Sequence, residues 1–372
     1  MGGKKTLVVK VGTSSLTEKS GRLDTARLRA LTAQLACLHG AGHQVILVTS
    51  GAIAAGYASL GWHERPTTVP AKQAAAAVGQ VLLMEEYSRA LAEQGIVAAQ
   101  LLLTRDDFRD RRRYTNAWSA LEVLLSRGAV PIINENDTVS IAELKLGDND
   151  TLSAQVAAMV HADLLLLLTD TDGLYTADPK TDPKAEHIDK VERITPELEA
   201  IAGGAGSANG TGGMATKVKG AKLATAAGVA VVICSSGEEN VLARAVEGEA
   251  RGTYFAPGVG MKTRRQWMAF YAVSSGRIYV DSGAEEALCS GGKSLLPAGV
   301  TSAEGDFDHG DLVEVRSREG ERLLGRGLAS CSASELREIL GLPTAEAEKL
   351  FPGRRAEVIH RDDWVDIKED CL

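Results

Sequence analysis

The sequence predicts an α/β protein in which helices cover a mostly parallel sheet, followed by a smaller strand-rich domain. Three observations lead to this prediction. Hydrophobic residues make up 44% of the chain but aromatic residues only 4%, and such small aliphatic side chains suit helices packed on a sheet. Apolar runs of strand length alternate with stretches of helical periodicity. From Gly276 onward the pattern changes to short strands separated by glycine-containing turns.

Length and charge limit the class of protein. A chain of 372 residues exceeds one ordinary core, so we expect two domains. The 41 basic and 49 acidic residues give a net charge of −8, which argues against a general nucleic-acid or membrane-surface protein. The five cysteines form no Cys-x-x-Cys pair, no signal-peptide pattern is present, and the longest leucine run is too short to span a bilayer. We therefore expect a cytoplasmic protein without membrane contact.

The stretch from Thr6 to Ser15 organises the first domain. Its apolar run predicts a strand buried on both faces of a parallel sheet, interrupted by Lys10. Because a lysine is rarely buried without a partner, Lys10 is a candidate for contact with an anion beyond the end of the strand. Gly12 permits a tight turn there. The alternative is an edge strand whose lysine reaches to water.

A helix over residues 24–39 and a strand over Gln44–Val48 complete a β-α-β unit. Ser50 and the following glycine form the turn after this strand, at the sheet edge where open α/β sheets bind ligands. A turn that merely needs small residues is the alternative interpretation. Further along, the pattern predicts a helix over residues 71–91 and a strand over residues 96–103.

Two polar clusters follow. Asn134 to Asp137 come directly after a strand over residues 129–133, and such side chains can bind an ammonium group and donate to a carboxylate, which suits an amino acid. The second cluster runs from Lys145 to Asp150 and opens a helix over residues 151–161. Helix capping alone would also explain Asp148 and Asp150.

A leucine-rich strand over residues 163–168 ends in Thr169 and Asp170. A glycine-rich stretch then leads into a helix with Thr216 and Lys217 in its first turn, which predicts an anion cradle with a point charge. The strand over residues 229–233 is expected to be the last core strand of the domain. Neither a P-loop nor a dinucleotide-binding fingerprint is present. Lys10 and Lys217 are instead expected to approach one phosphoryl group from two sides.

These motifs, taken together, resemble the amino-acid kinase family, in its glutamate 5-kinase branch. The resemblance covers almost the whole chain, and the ordered set is highly specific; it consists of Lys-Val-Gly-Thr-Ser at Lys10, Val-Thr-Ser-Gly-Ala-Ile at Val48, Ile-Asn-Glu-Asn-Asp-Thr at Ile133, Gly-Asp-Asn-Asp at Gly147, Leu-Leu-Thr-Asp at Leu167 and Gly-Thr-Gly-Gly-Met-Ala-Thr-Lys at Gly210. The resemblance implies a three-layer sandwich with a mostly parallel central sheet.

The resemblance also implies transfer of the ATP γ-phosphoryl group to the γ-carboxylate of L-glutamate, the first step of proline biosynthesis. The catalytic residues it implies are Lys10, Lys217 and Asp150. The substrate-binding residues it implies are Ser50, Asp137, Asn149, Asn134 and Lys145. The nucleotide-binding residues it implies are Lys10, Thr169, Asp170, Thr211, Gly212, Gly213, Met214, Ala215, Thr216 and Lys217. Mg²⁺ is expected to bridge the ATP phosphates, with no protein ligand assigned to it.

The second domain resembles a PUA domain through Ser294–Val300 and Phe307–Val315. We expect a kinase domain over 1–255, a linker over 256–275, a small β-barrel-like PUA domain over 276–354 and a tail over 355–372. Residues 276–354 contain nine basic and fourteen acidic residues, which favours a regulatory or assembly role over RNA binding.

The family resemblance further implies feedback inhibition by L-proline, a homo-oligomer (dimer or tetramer) and a γ-glutamyl phosphate reductase as partner. Two alternatives stay open. One is a kinase acting on N-acetylglutamate or aspartate, although the former offers no free ammonium group to Asp137. The other is an RNA-binding regulator with a kinase-like fold, against which the paired lysines argue.

Overall fold

The computed structural model describes residues 3–18, 22–139, 149–179, 181–203, 213–258, 274–290, 292–350 and 357–367. The chain divides into two compact units. The first holds residues 1–107 and 112–260, and the second holds residues 108–111 and 261–372. We describe each unit by itself.

The first unit is built on an eight-stranded sheet, and its described strands are β1 (Thr6–Val11), β2 (Gln44–Val48), β3 (Ala98–Leu103), β4 (Val130–Glu135), β5 (Leu164–Thr169), β8 (Lys190–Val191), β9 (Ala230–Ser235) and β10 (Gly252–Phe255). A separate pair consists of β6 (Leu174–Tyr175) and β7 (His187–Ile188). The order across the large sheet is β3-β4-β2-β1-β5-β9-β10-β8. Every pairing from β3 to β9 is parallel, β10 pairs antiparallel with β9, and β8 pairs parallel with β10. The predicted mostly parallel α/β sheet is confirmed.

Helices cover both faces of this sheet. The described helices between residues 13 and 247 are α1 (Thr13–Leu16), α2 (Thr25–Gly40), α3 (Ala52–Ser59), α4 (Val69–Ala92), α5 (Arg105–Arg109), α6 (Arg111–Ser126), α7 (Asn149–Met159), α8 (Pro196–Ala202), α9 (Met214–Ala226) and α10 (Val241–Glu247). Leu7, Val9 and Val11 of β1 pack with α2, α4 and α10 in one core cluster. The alternating residues of β1, among them Lys10, face the other side, where α7 lies against β1 and β5. The strands β1, β2 and β5 are continuous apolar runs because both faces are covered.

The sheet departs from the prediction at two places. The strand over residues 229–233 was expected to end the core sheet, but β10 extends it beyond β9. β10 has only four residues that are alternately half-buried and buried, so it lacks the continuous apolar run of the other core strands. β4 also continues past Ile133, so that Asn134 and Glu135 lie within the strand and are buried.

The second unit contains a five-stranded sheet in the order β12-β11-β13-β14-β15. Its described strands are β11 (Gly276–Val280), β12 (Val300–Gly305), β13 (Leu312–Ser317), β14 (Leu323–Leu328) and β15 (Trp364–Asp366), and its helices are α11 (Ser282–Cys289), α12 (Ala333–Ile339) and α13 (Thr344–Leu350). Single 3₁₀ turns lie at Pro297–Gly299 and Arg361–Asp363. The sheet and its helices surround a core that includes Ile278, Val313 and Leu336. The strand β15 lies after residue 354, within the range expected to be a tail, and it pairs with β14.

Candidate active site

The predicted site residues gather at one edge of the large sheet. Because β4, β2, β1 and β5 are parallel neighbours, their carboxyl ends lie along the same edge. Asn134 is at the end of β4, Ser50 follows β2, Lys10 is near the end of β1 and Thr169 ends β5. Asn134 and Ser50, two of the residues expected to bind the amino acid, therefore lie on one side of Lys10, and Thr169 lies on the other.

A buried cluster of three charges lies at this edge. Lys10 Nζ is 2.6 Å from Asp150 Oδ1, and Lys217 Nζ is 3.3 Å from Asp150 Oδ2. Asp150 is fully buried, and each lysine exposes only 5% of its surface. The two lysines expected to meet at one phosphoryl group are thus brought to the two oxygens of a single carboxylate.

The protonation of Asp150 follows from this arrangement. Burial raises the pKa of its carboxyl group, but the charges of Lys10 and Lys217, together with hydrogen bonds from Lys10 and Thr216, outweigh burial and hold the pKa below the ordinary value of 3.8. The Thr216 hydroxyl lies 2.8 Å from Asp150 Oδ2 and 2.7 Å from the carbonyl oxygen of Gly213. Asp150 is therefore ionised at neutral pH and pairs with both ammonium groups.

Lys217 reaches Asp150 because helices α7 and α9 cross closely. A Cβ atom on Gly220 would lie 3.1 Å from the carbonyl oxygen of Asp150, which is tighter than ordinary contact. Gly220 is one turn beyond Thr216 and Lys217 on α9, so the close approach brings both side chains to the first turn of α7.

A second cluster, of amides and hydroxyls, lies beside the charged one. Asn149 Nδ2 is 2.6 Å from the Thr49 carbonyl oxygen, 2.7 Å from Ser50 Oγ and 3.0 Å from Asn134 Oδ1. An amide nitrogen has two protons, so these three acceptors share them. Since Asn149 and Asp150 are consecutive residues at the start of α7, one peptide unit joins the amide cluster to the charged cluster.

The remaining predicted residues are placed as follows. Asp137 is half-buried in the turn after β4. Thr169 is buried and donates to the exposed Asp170 at 3.1 Å. Gly213 precedes α9, and Met214, Ala215 and Thr216 form its first turn without a side-chain cap among the described residues. Lys145, Asp148, Thr211 and Gly212 lie outside the described residues.

Two contributors to the amide cluster were not predicted from the sequence. The Thr49 carbonyl accepts from Asn149, and the Gln80 side chain on α4 accepts from Asn134 Nδ2 at 2.9 Å. Gln80 is 8% exposed in an alanine-rich helix. A glutamine on the buried face of an apolar helix was the available signal, because buried polar side chains need partners.

The sequence model of the amino acid kinase family matches residues 5–235. The chain belongs to the amino acid kinase family. A PUA domain description matches residues 276–351. Both assignments confirm what the motifs predicted.

Relatives of this amino acid kinase extend over nearly its whole length. A protein of Neisseria meningitidis serogroup B named glutamate 5-kinase is 54% identical over 366 residues, covering 98% of this chain and 96% of its own. A glutamate 5-kinase of Streptococcus sanguinis is 56% identical over 364 residues, with the same two coverages of 98% and 96%. Within the family the chain therefore groups with the glutamate 5-kinases, as predicted. A crystal structure of UMP kinase from Ureaplasma parvum aligns with a TM-score of 0.48 at 15% identity, covering 68% of this chain and 99% of that one.

Membership of a kinase family implies ATP as the phosphoryl donor and a divalent cation with it. The described residues contain no group of three or more His, Cys, Asp or Glu side chains placed to hold a metal ion. Both oxygens of Asp150 contact lysines, so this carboxylate is committed to the charged cluster.

In the described part of the chain, no helix is long and apolar enough to cross a membrane.

Proposed function

We propose that this chain transfers the γ-phosphoryl group of ATP to the side-chain carboxylate of L-glutamate, giving γ-glutamyl 5-phosphate for proline biosynthesis. One observation carries the proposal: the amide cluster of Asn149, Ser50 and Asn134 adjoins the cluster of Lys10, Asp150 and Lys217 through consecutive residues of one helix. A site for a polar acceptor thus lies beside a site for phosphoryl charge. The names of the relatives supply the acceptor, glutamate.

The charged cluster suits phosphoryl transfer. The reaction brings an anionic carboxylate to an anionic triphosphate, and the protein's task is to position the two and to neutralise charge on the transferred group. Lys10 and Lys217 supply two buried ammonium groups, and Asp150 holds both in place. The first turn of α9 adds backbone N–H groups that have no side-chain cap in the described residues, where a phosphate is favoured. Thr169, Asp170 and Thr211–Lys217 are the proposed nucleotide residues.

The amide cluster suits the amino acid. Asn149 and Ser50 offer neutral donors and acceptors to a carboxylate or an ammonium group, and Asp137 offers a negative charge to the ammonium group. Asn134 belongs to the same cluster and accepts a hydrogen bond from Asn149. Lys145 completes the proposed set through the family resemblance alone.

The divalent cation is proposed to be Mg²⁺. It would supply further neutralisation of the phosphate oxygens when bound with ATP. The site residues described here fit a cation held mainly by phosphate oxygens and water, since the carboxylate of Asp150 contacts the two lysines. Asp170 is an exposed carboxylate directly after β5, at the same edge of the sheet.

Trapping of the acyl phosphate tests the proposed function. The chain is incubated with MgATP, hydroxylamine and L-glutamate, and an acyl phosphate is captured as the hydroxamate. We expect hydroxamate with glutamate and far less with aspartate or N-acetylglutamate. Formation with N-acetylglutamate or aspartate alone would assign the chain to another substrate, and no hydroxamate with any of the three would refute the proposal.

From the family we further propose inhibition by L-proline, assembly into a homo-oligomer, transfer of the product to a γ-glutamyl phosphate reductase and a cytoplasmic location.

For the PUA domain we propose a regulatory or assembly role. Arg316 and Arg326 lie 2.9 and 3.5 Å from Glu314, and Arg277 pairs more loosely with the same carboxylate, so these arginines are partly neutralised on the sheet. Salt-sensitive RNA binding by the intact chain would contradict this role.

A further inference from the structure

The side chain of Gln80 lies beside Asn134 of the amide cluster and has an unusual environment. It is 8% exposed, and its Oε1 accepts a hydrogen bond from Asn134 Nδ2 at 2.9 Å. Its Nε2 is buried and has no hydrogen-bond partner among the described residues. An unpaired buried donor is costly, so this position carries a polar side chain at an energetic cost.

The partner of Gln80 has only one workable orientation. Asn134 Oδ1 accepts from the backbone N–H of Glu135 at 2.9 Å and from Asn149 Nδ2 at 3.0 Å. Because both donors require an oxygen at that position, Asn134 Nδ2 must point the other way, toward Gln80. Gln80 Oε1 is thus the acceptor for the Asn134 Nδ2 group in this orientation. The hydrogen bonds continue from Asn149 to Ser50.

The backbone of Gln80 is held firmly against the start of α3. A Cβ atom on the preceding Gly79 would lie 1.8 Å from the carbonyl oxygen of Ala52, and one on Gly56 would lie 1.9 Å from that of Ala75. Helices α3 and α4 are therefore in backbone contact at this point. Since α3 begins directly after Ser50 and Gly51, the contact fixes Gln80 relative to the turn that carries Ser50.

We propose that Gln80 is a positioning residue for the amino-acid acceptor. It acts through Asn134, whose fixed amide holds Asn149 and, through it, Ser50. Gln80 does not contact the acceptor itself, since its Nε2 is inaccessible. The proposal rests on the proposed function, because it concerns the site at which glutamate is proposed to bind.

Steady-state kinetics of Gln80→Met test the proposal. Methionine keeps the length of the side chain but offers Asn134 only a weak acceptor, so we expect KM for glutamate to rise about tenfold while KM for ATP changes less than twofold. Gln155→Met is the matched control, because Gln155 is a glutamine of similar burial, 7% exposed, on α7. We expect its KM for glutamate to stay within twofold of the unmodified chain.

A double-mutant cycle with Asn134→Ala separates positioning from packing. If Gln80 acts through Asn134, the rise in KM for glutamate caused by Gln80→Met disappears when Asn134 is already alanine. Additive effects of the two substitutions would overturn the proposal, as would an unchanged KM for glutamate or equal rises for glutamate and ATP. If Gln80→Met does not fold, Gln80→Asn takes its place, since it withdraws the same amide by one methylene group.

The outcome is distinguishable from failure of the proposed function. The rise in melting temperature caused by glutamate is measured beside the kinetics for every variant. An unmodified chain that binds glutamate but forms no hydroxamate would refute the proposed function, while loss of the glutamate-induced shift in Gln80→Met alone would still support the role of Gln80. A shift of equal size in Gln80→Met and the unmodified chain would overturn that role.

Discussion

Substitution of Asp150 by asparagine removes the one negative charge shared by two buried ammonium groups. At an effective dielectric constant of about 20, the attractions at 2.6 Å and 3.3 Å are about 6 and 5 kcal/mol before desolvation is counted. Desolvation of the buried ions offsets most of this, and removal of one partner of such a pair typically costs about 3–5 kcal/mol. We therefore expect Asp150→Asn to lower the free energy of unfolding by about 3–5 kcal/mol, and kcat to fall more than about 100-fold as the lysines lose their anchor.

Urea unfolding followed by circular dichroism, together with the hydroxamate assay, measures both effects. Asp24→Asn is the matched control, because Asp24 pairs with Arg27 at a helix start where the arginine side chain is 60% exposed. An exposed pair contributes about 0–1 kcal/mol, so this variant should unfold almost as the unmodified chain does. The reasoning is refuted if Asp150→Asn unfolds within about 1 kcal/mol of the unmodified chain and keeps its kcat.

The pH dependence of stability has a definite sign. Because the folded pKa of Asp150 is lower than its ordinary 3.8, its contribution is complete above that value and is lost as the pH falls through the folded pKa. The difference in unfolding free energy between the unmodified chain and Asp150→Asn should therefore be constant from pH 5 to 7 and shrink below about pH 3.8. A difference that grows on acidification would contradict the ionised state of Asp150.

Three further predictions concern the two lysines, the amide cluster and the crossing of α3 and α4. Lys10→Met and Lys217→Met should each lower kcat by about 100-fold or more in the hydroxamate assay. Each should also lower the melting temperature, because it leaves the buried carboxylate with one cation. A normal kcat would remove that lysine from the mechanism. Asn149→Ala should raise KM for glutamate about tenfold or more with little change in KM for ATP, and equal changes in both would argue against an acceptor role. Gly79→Ala should lower the free energy of unfolding by about 3 kcal/mol, since its Cβ atom would lie 1.8 Å from a carbonyl oxygen of the facing helix. The control Gly40→Ala should cost little, because a Cβ atom there meets nothing within 4 Å. Equal unfolding free energies for the two variants would refute the close crossing.

The strands that carry the site could be predicted because they are buried on both faces. Such strands are continuous apolar runs, and a lysine or a polar pair at the end of one stands out, as Lys10 and Thr169 do. The short strand β10 could not be found in this way, because its four residues alternate in burial and begin with a glycine. Local patterns therefore predict the centre of the sheet better than its far edge.

The partners within the site were less predictable than its members. Asp150 could be singled out at the start of a helix, yet nothing local shows that both of its oxygens contact lysines from β1 and α9. That arrangement depends on the close crossing of α7 and α9 at Gly220, which is a property of packing. Gln80 likewise contacts Asn134, 54 positions away in sequence, because tertiary packing brings α4 to the end of β4.

The adjacency of Asn149 and Asp150 along the backbone sets the distance between the proposed acceptor site and the proposed phosphoryl site. Consecutive Cα atoms are about 3.8 Å apart across a trans peptide, and this spacing does not stretch. A rotation or shift of the first turn of α7 would therefore move Asn149 and Asp150 together and preserve their separation. Insertion of a single residue between them would separate the two side chains and rotate one relative to the other by about 100° around the helix axis, so that both could no longer reach their present partners.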